Sequence, residues 1–237
     1  MISGTRTDAR GASNDAIAAR AAERYQNLRA GIFVLTDRTF AALMLAQWMV
    51  AIIVAMVISP YAWEGKATTD YMHVWAAFVV GGILTAPPVA LAFLRSASPL
   101  TRHWVAASQM LWSALLIHLT GGRIETHFHA FVSLAVLAFY RDWKVLLTAT
   151  VVLVSDHVVR GLLWPESLFG VVNPQWWRLL EHGFWAVVCV SLLVLACSRC
   201  TRDMRAMAER EAELEALVED RLRDRPSLDA GPQAATA

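Results

Sequence analysis

Long apolar runs alternate with short polar breaks through most of this chain. The runs cover residues 39–59, 72–94, 103–119, 128–140, 144–163 and 182–198. Because about 20 apolar residues carry an α-helix across a bilayer, the pattern predicts an all-α polytopic membrane bundle of six transmembrane helices. The fourth run is short, and only Arg141-Asp142-Trp143 separates it from the fifth. The pair forms either a tight helical hairpin or one interrupted element, and the second arrangement would leave five spans.

The segments that flank the bundle are polar. Residues 1–36 are predicted to be a polar cytoplasmic tail with a short amphipathic helix around 16–28, and residues 37–200 form the transmembrane bundle. Residues 201–225 lack Gly and Pro, and their apolar side chains recur at helical spacings, which predicts a cytoplasmic amphipathic helix. This apolar stripe consists of Met207, Leu214, Leu217, Val218 and Leu222. Residues 226–237 have the composition of a disordered tail.

Basic residues set the orientation, because cytoplasmic segments of membrane proteins carry an excess of Lys and Arg. With six spans and a cytoplasmic N-terminus, nine basic residues flank the spans inside and four flank them outside. We therefore expect a multi-pass protein of the bacterial inner membrane with both termini cytoplasmic. A five-span arrangement would place the cluster Arg199, Arg202 and Arg205 outside, against the rule. We expect no nucleic-acid partner.

Histidines concentrate at one end of the predicted helices. Six of the seven fall at the outer ends, where they come from five helices, and only His103 falls at the inner side. His129 and His157 lie 13 and 15 residues from Asp142 in the hairpin turn, so a rise of about 1.5 Å per residue places them at nearly equal depth. Three carboxylates lie beside them. The candidate set is His73, His118, His127, His129, His157, His182, Glu125, Asp156 and Glu181.

Imidazoles with carboxylates are ligands suited to transition metals, and ionisable groups at membrane depth are costly unless they serve a function. We therefore expect these residues to bind iron, copper or zinc, or a haem. A pH-responsive histidine cluster and interfacial packing are the alternatives. His73 belongs to the expected ligands less firmly than the other five histidines. The carboxylates are expected either to bind the metal or to accept hydrogen bonds from the imidazoles and so orient them.

A long central motif gives the sequence a family resemblance. The stretch Leu115-Leu-Ile-His-Leu-Thr-Gly-Gly-Arg-Ile-Glu-Thr-His-Phe-His129 is followed by Ala138-Phe-Tyr-Arg-Asp-Trp143, Asp156-His157, Arg160-Gly161, Trp164-Pro165 and Glu181-His182. From about Thr36 to Leu195 the chain resembles a membrane sensor module found at the N-terminus of bacterial hybrid histidine kinases, diguanylate cyclases and chemotaxis transducers. The resemblance implies a signal-input role in a two-component or related system.

The chain departs from that pattern in two places. An acidic Phe-Glu-Asp step follows the Glu-His motif in the module, whereas Val188-Cys189-Val190 stands here. No kinase, cyclase or transducer domain is recognised after residue 225, so we expect either a free-standing sensor that needs a partner or a truncated relative. We therefore expect a non-catalytic sensor in the lipid bilayer that acts through residues 201–225, either on a cytoplasmic signalling protein or on a second copy in a homodimer. The alternative function is a membrane metalloenzyme or a cytochrome-like redox protein that uses the same histidines.

The predicted topology can be tested with reporter fusions. The reporters should alternate between outside and inside, beginning outside, because the basic residues alternate in the same way. The fusion sites are Gly65, Ala97, Gly122, Asp142, Pro174 and Ala206. An outside signal at Asp142 would contradict the hairpin and, with it, the equal depth of the histidines.

Overall fold

A computed structural model describes residues 3–63, 69–172 and 174–223 of the chain. In these ranges the protein is all-α, as predicted, and contains no strand. The helices are α1 (Ser3–Val57), α2 (Ser59–Ala62), α3 (Thr69–Trp75), α4 (Gly81–Leu94), α5 (Pro99–Leu119), α6 (Ile124–Leu137), α7 (Trp143–Leu163), α8 (Pro165–Phe169) and α9 (Trp177–Arg223). A π-helical turn, Ala76–Val80, joins α3 to α4, and a 3₁₀ turn, Ala138–Tyr140, follows α6.

Four of the described helical segments are long and apolar enough to cross a membrane. They are Asn14–Val57, Tyr71–Leu94, Trp143–Leu163 and Trp177–Arg223, and Ile124–Tyr140 is a shorter apolar helix. This finding supports a membrane protein. The predicted hairpin between the fourth and fifth apolar runs is present, because the chain turns at Arg141 with φ 53° between α6 and α7. Asp142 then begins α7 by accepting a 3.1 Å hydrogen bond from the backbone N–H of Lys144.

The polar N-terminal segment is helical in its described residues. Helix α1 runs without a break from Ser3 into the first apolar run. Its described residues up to Leu28 form one compact unit with the residues from Arg202 onward, and Arg29–Thr201 forms the other. The predicted disordered tail, residues 226–237, lies outside the described residues.

The smaller unit pairs the first part of α1 with the end of α9. Arg20 contacts Glu219 at 2.9 Å, and Arg24 contacts Glu211 at 2.7 Å and Glu215. The helices bury small and aromatic side chains against each other, namely Ala21, Tyr25, Met204, Ala208 and Ala212. Because the ion pairs are largely exposed, the free energy of this pairing comes mainly from the buried seam.

Helix α5 is the centre of the larger unit. It packs against α4, α6, α7 and α8, and twelve of its 21 residues are buried. Trp112 of this helix is fully buried, as are Phe40, Met44, Leu134 and Leu146 in the same core cluster. Ser98 caps the helix by accepting a 3.1 Å hydrogen bond from the Thr101 N–H, and Pro99 follows at the first helical position.

A buried carboxyl group joins three parts of the chain at the end of this unit where α5 begins. Asp37 of α1 is fully buried and accepts 2.7 Å hydrogen bonds from the Tyr140 hydroxyl and from the backbone N–H of Ala97. Ser96 adds a 3.3 Å contact, and the ring of Phe40 stacks on Tyr140 with centroids 5.8 Å apart. Asp37 therefore fixes α1 to both the α4–α5 turn and the α6–α7 turn.

The α6–α7 turn makes further polar contacts at the same end. Asp142 lies 3.1 Å from Arg102 of α5 and 3.9 Å from Arg29 of α1. The carbonyl oxygen of Arg141 accepts a 3.0 Å hydrogen bond from the Thr201 hydroxyl of α9. One turn thus touches α1, α5 and α9.

Removal of the Tyr140 hydroxyl tests this junction. Tyr140→Phe should lower the free energy of unfolding by about 1–3 kcal/mol, because the buried Asp37 carboxyl loses one of its donors. Tyr61→Phe is the matched control, since Tyr61 is 76% exposed and its hydroxyl should contribute less than about 0.5 kcal/mol. Denaturant unfolding in detergent micelles measures both. Equal stabilities of the two variants would contradict the role given to Asp37.

Candidate metal and ligand site

Three of the predicted histidines come together from three helices. His127 of α6 is the shared member, with its ring centroid 5.8 Å from that of His157 in α7 and 5.2 Å from that of His182 in α9. His127 is 4% exposed. These three residues are called the histidine trio.

Each ring of the trio is held in the same way. Nδ1 lies within hydrogen-bonding distance of the carbonyl oxygen four residues earlier, at 3.0 Å for Arg123, 3.0 Å for Leu153 and 2.8 Å for Arg178. Because a carbonyl oxygen only accepts, Nδ1 carries the proton and the neutral ring keeps its lone pair on Nε2. The Nε2 atom of His127 is buried and has no hydrogen-bond partner among the described residues.

Two further histidines form a separate pair. His73 and His118 meet edge to face with centroids 5.1 Å apart. His118 Nδ1 lies 2.9 Å from Ser167 Oγ, and His73 Nδ1 contacts Ser59 Oγ. The ring of Trp63 packs 5.3 Å from His73 and 5.2 Å from His118. This pair is enclosed by aromatic and hydroxyl groups.

Arg160 contacts one residue beside the trio, Asp156, and one beside the pair, Ser167. Its guanidinium donates hydrogen bonds of 2.8 and 2.5 Å to the carboxylate of Asp156, and Asp156 Oδ2 lies 3.4 Å from His157 Nδ1. On its other side the guanidinium lies 3.3 Å from Ser167 Oγ, which contacts His118. The Asp156 carboxylate therefore contacts the ring of His157 while it forms an ion pair with Arg160.

His129 stands apart from both groups. Ser113 Oγ donates to the Gln109 carbonyl oxygen at 3.2 Å and lies 2.9 Å from His129 Nδ1, so this nitrogen is the donor to the hydroxyl. His129 Nε2 then accepts a 2.9 Å hydrogen bond from the side-chain amide of Gln47. Both ring nitrogens are thus used within the bundle.

The remaining predicted carboxylates lie at the surface. Glu125 is exposed and pairs with Arg123 at 3.6 Å, so it does not approach His129. Glu181 is exposed and lines a groove with His127 and His182. His103, which was expected to lie outside the site, contacts Thr148 at 2.8 Å.

The loop before α6 holds His118 and His127 in place through close backbone contact. Gly122 has φ +74°, and a Cβ atom there would lie 2.2 Å from the backbone nitrogen of Gly170. Gly121 has φ +66°, and its Cβ would lie 2.8 Å from the Ala62 oxygen. Glycine is required at both positions, because residues with a Cβ rarely adopt positive φ and the Cβ would collide with these backbone atoms.

The nine predicted residues therefore separate into a trio, a pair, His129 and three carboxylates in different surroundings. In the part of the chain that the structure describes, no group of three or more His, Cys, Asp or Glu side chains is arranged as a metal site. Four residues that contact these histidines were not predicted from the sequence, although polar residues inside or beside apolar runs were a signal for them; they are Ser59, Ser113, Ser167 and Gln47.

The groove lies between α6 and α9 and has a volume of about 630 Å³. His127, Glu181 and His182 line one part of it, and aromatic and aliphatic side chains line the rest. Val188 and Cys189 belong to the apolar lining.

Comparison with known proteins gives one informative relative. No family model matches this chain, and no solved structure matches it. The protein described as Transducer protein Htr8, from Halobacterium salinarum, is 32% identical over 130 residues, which are 53% of this chain and 20% of the relative. The matched region spans only a fifth of that relative's length.

Proposed function

We propose that this protein is a membrane signal-input protein whose histidine trio binds a transition metal ion. The similarity to a transducer supports the signalling part. The observation that carries the binding part is the common state of the three rings, since each presents the lone pair of Nε2 while Nδ1 is held by a carbonyl oxygen. That is the ligand form of histidine in metalloproteins.

The spacing of the rings supports the same proposal. Two imidazoles that bind one tetrahedral ion through Nε2, at about 2.0–2.1 Å each, have ring centres roughly 5 Å apart. The separations of 5.2 and 5.8 Å around His127 require only small side-chain movements to reach that value. Three histidine ligands leave a fourth position open for a small molecule, and an open position suits a sensor.

Metal content tests the trio. Protein purified without chelator and loaded with Zn²⁺ should retain about one ion per chain, and His127→Ala should lose it, because a ligand is removed from the centre of the trio. His129→Ala and His103→Ala are the matched controls and should retain the ion, since both rings lie in other hydrogen-bond networks. Elemental analysis measures the ion, and the visible spectrum detects haem if that is the form in which iron binds.

Acid should release the ion. Protonation of Nε2 removes the lone pair, so affinity should fall as the pH decreases. Wild-type protein that retains neither metal nor haem near neutral pH would contradict the proposed metal site while leaving the signalling role in place.

We further propose that the bundle crosses the inner membrane six times, with both termini cytoplasmic. The four long apolar helices account for four crossings, and α5 and the α6 hairpin arm account for the other two. The asymmetry of Lys and Arg supports this orientation.

The end of α9 is proposed to pass the signal to a second copy of the chain. Met207, Leu214, Leu217, Val218 and Leu222 are 57–62% exposed. The face of the same helix that packs on α1 contains Met204, Ala208 and Ala212. At about 100° per residue, the stripe at 207, 214 and 218 lies roughly 100° around the axis from that face. It therefore stays available for another helix.

Charge on the stripe tests this contact. The double variant Leu214→Lys, Val218→Lys should shift full-length protein in detergent towards the monomer, because two charges would be buried in an apolar interface. Asp220→Lys, at an exposed polar position of the same helix, is the control and should associate as the wild type does. Sedimentation measures the oligomeric state, and membrane insertion should be unchanged in all variants. Unchanged association of the double variant would refute the interface.

A further inference from the structure

The groove between α6 and α9 has a polar end and an apolar wall. Its polar end is formed by His127, Glu181 and His182, and Phe128, Phe131 and Trp185 stand along its wall. The volume of about 630 Å³ lies within the range of small-molecule sites. On α9 the lining runs from Glu181 to Leu192, a rise of about 16 Å. The shape therefore suits an elongated molecule with one polar end.

The polar end offers hydrogen-bond acceptors. The Nδ1 protons of His127 and His182 are bound to carbonyl oxygens, so both rings present the Nε2 lone pair. The buried Nε2 of His127 has no partner among the described residues. Glu181 adds a carboxylate, which only accepts when it is ionised.

The carboxylate of Glu181 is not neutralised by a neighbouring cation in the described part of the chain. Arg178 lies one helical turn earlier without forming an ion pair with it, Arg160 is paired with Asp156, and Arg123 is paired with Glu125. A ligand head that carries an anion would meet repulsion here. A head with a positive charge and several N–H donors would satisfy the carboxylate and the imidazole lone pairs together.

The aromatic wall favours the same class of ligand. Phe128 and Trp185 are 63% and 57% exposed, so their rings are open to an occupant of the groove. Aromatic faces attract cations as well as apolar groups. An aliphatic or aryl-alkyl chain can lie along this wall while its head stays at the polar end.

We propose that this groove binds an amphipathic primary ammonium compound. The ammonium group donates to Glu181, His127 and His182, and the apolar body packs on Phe128, Phe131 and Trp185. The proposal goes beyond the metal site, because it concerns the groove and requires no ion in the histidine trio. An ion in the trio would take up the two imidazole lone pairs and leave the ammonium only the carboxylate, so metal loading should weaken binding of the amine.

The experiment compares two probes of equal shape. Full-length, chelator-treated protein in maltoside micelles is titrated calorimetrically with 4-phenylbutylammonium and with 4-phenylbutanol. The ammonium should bind at least tenfold more tightly than the alcohol, because only the ammonium carries the charge that complements Glu181. Glu181→Gln should abolish that difference by weakening the ammonium at least tenfold and leaving the alcohol unchanged.

Two variants serve as controls. Glu125→Gln changes an exposed carboxylate of α6 that does not line the groove, and it should leave both affinities unchanged. Trp185→Ala should weaken both probes, since it removes part of the apolar wall. Glu181 is exposed, so its replacement should keep the wild-type unfolding midpoint.

Three results would overturn the proposal. They are absence of ammonium binding to the wild type, equal affinity for the two probes, and full ammonium affinity in Glu181→Gln. The metal measurement is independent of these results. Chelator-treated protein that binds the amine although no ion ever binds the trio would uphold the groove and reject the metal site, and the reverse outcome would do the opposite.

Discussion

The carboxyl group of Asp37 is buried in an apolar bundle, and it is the point at which separate helices are fixed to one another. A buried polar group is costly unless hydrogen bonds replace those it made with water. Asp37 meets this requirement with the Tyr140 hydroxyl and the Ala97 N–H. These donors belong to two different turns, so the carboxyl group fixes α1, the start of α5 and the hairpin of α6 and α7 in one arrangement. The positions of the histidines on α5, α6 and α7 depend on that arrangement.

The same requirement explains why α5 is central although it is not among the four described helices that are long and apolar enough to cross a membrane. Ser108, Gln109 and Ser113 are buried in it, which lowers its mean hydropathy. Their partners lie inside the bundle, as in the 2.9 Å contact between Gln109 and Ser133. A helix that is enclosed by its neighbours can carry such residues, whereas a helix that faces lipid cannot do so without cost.

Two kinds of histidine follow from this packing. His129 uses both ring nitrogens in bonds with Gln47 and Ser113, so its contribution is structural. The trio uses only Nδ1 within the protein, which leaves Nε2 for a ligand. The distinction depends on the partner atoms of each ring, because His127 and His129 lie only two residues apart on the same helix and differ in this respect.

Helices α1 and α9 each contribute residues to both compact units. In the larger unit α9 carries His182 and contacts the α6–α7 turn through Thr201. In the smaller unit it pairs with the start of α1. Helix α9 is continuous from Trp177 to Arg223, so one helix carries both His182 and the exposed stripe.

The sequence by itself determined the helical class, the break at Arg141-Asp142 and the amphipathic stripe beyond residue 201. These features depend on local spacing and on turn chemistry, which act within a few residues. It also identified the histidines as a group at one end of the helices. Only the tertiary structure divided them into the trio, the pair and His129, because rotation of each helix about its axis is set by packing against distant segments. The pairing of the residues up to Leu28 with α9 could not be predicted from the sequence either. Its Arg–Glu contacts join positions such as 24 and 211, which are far apart in the chain and are not connected by any local pattern.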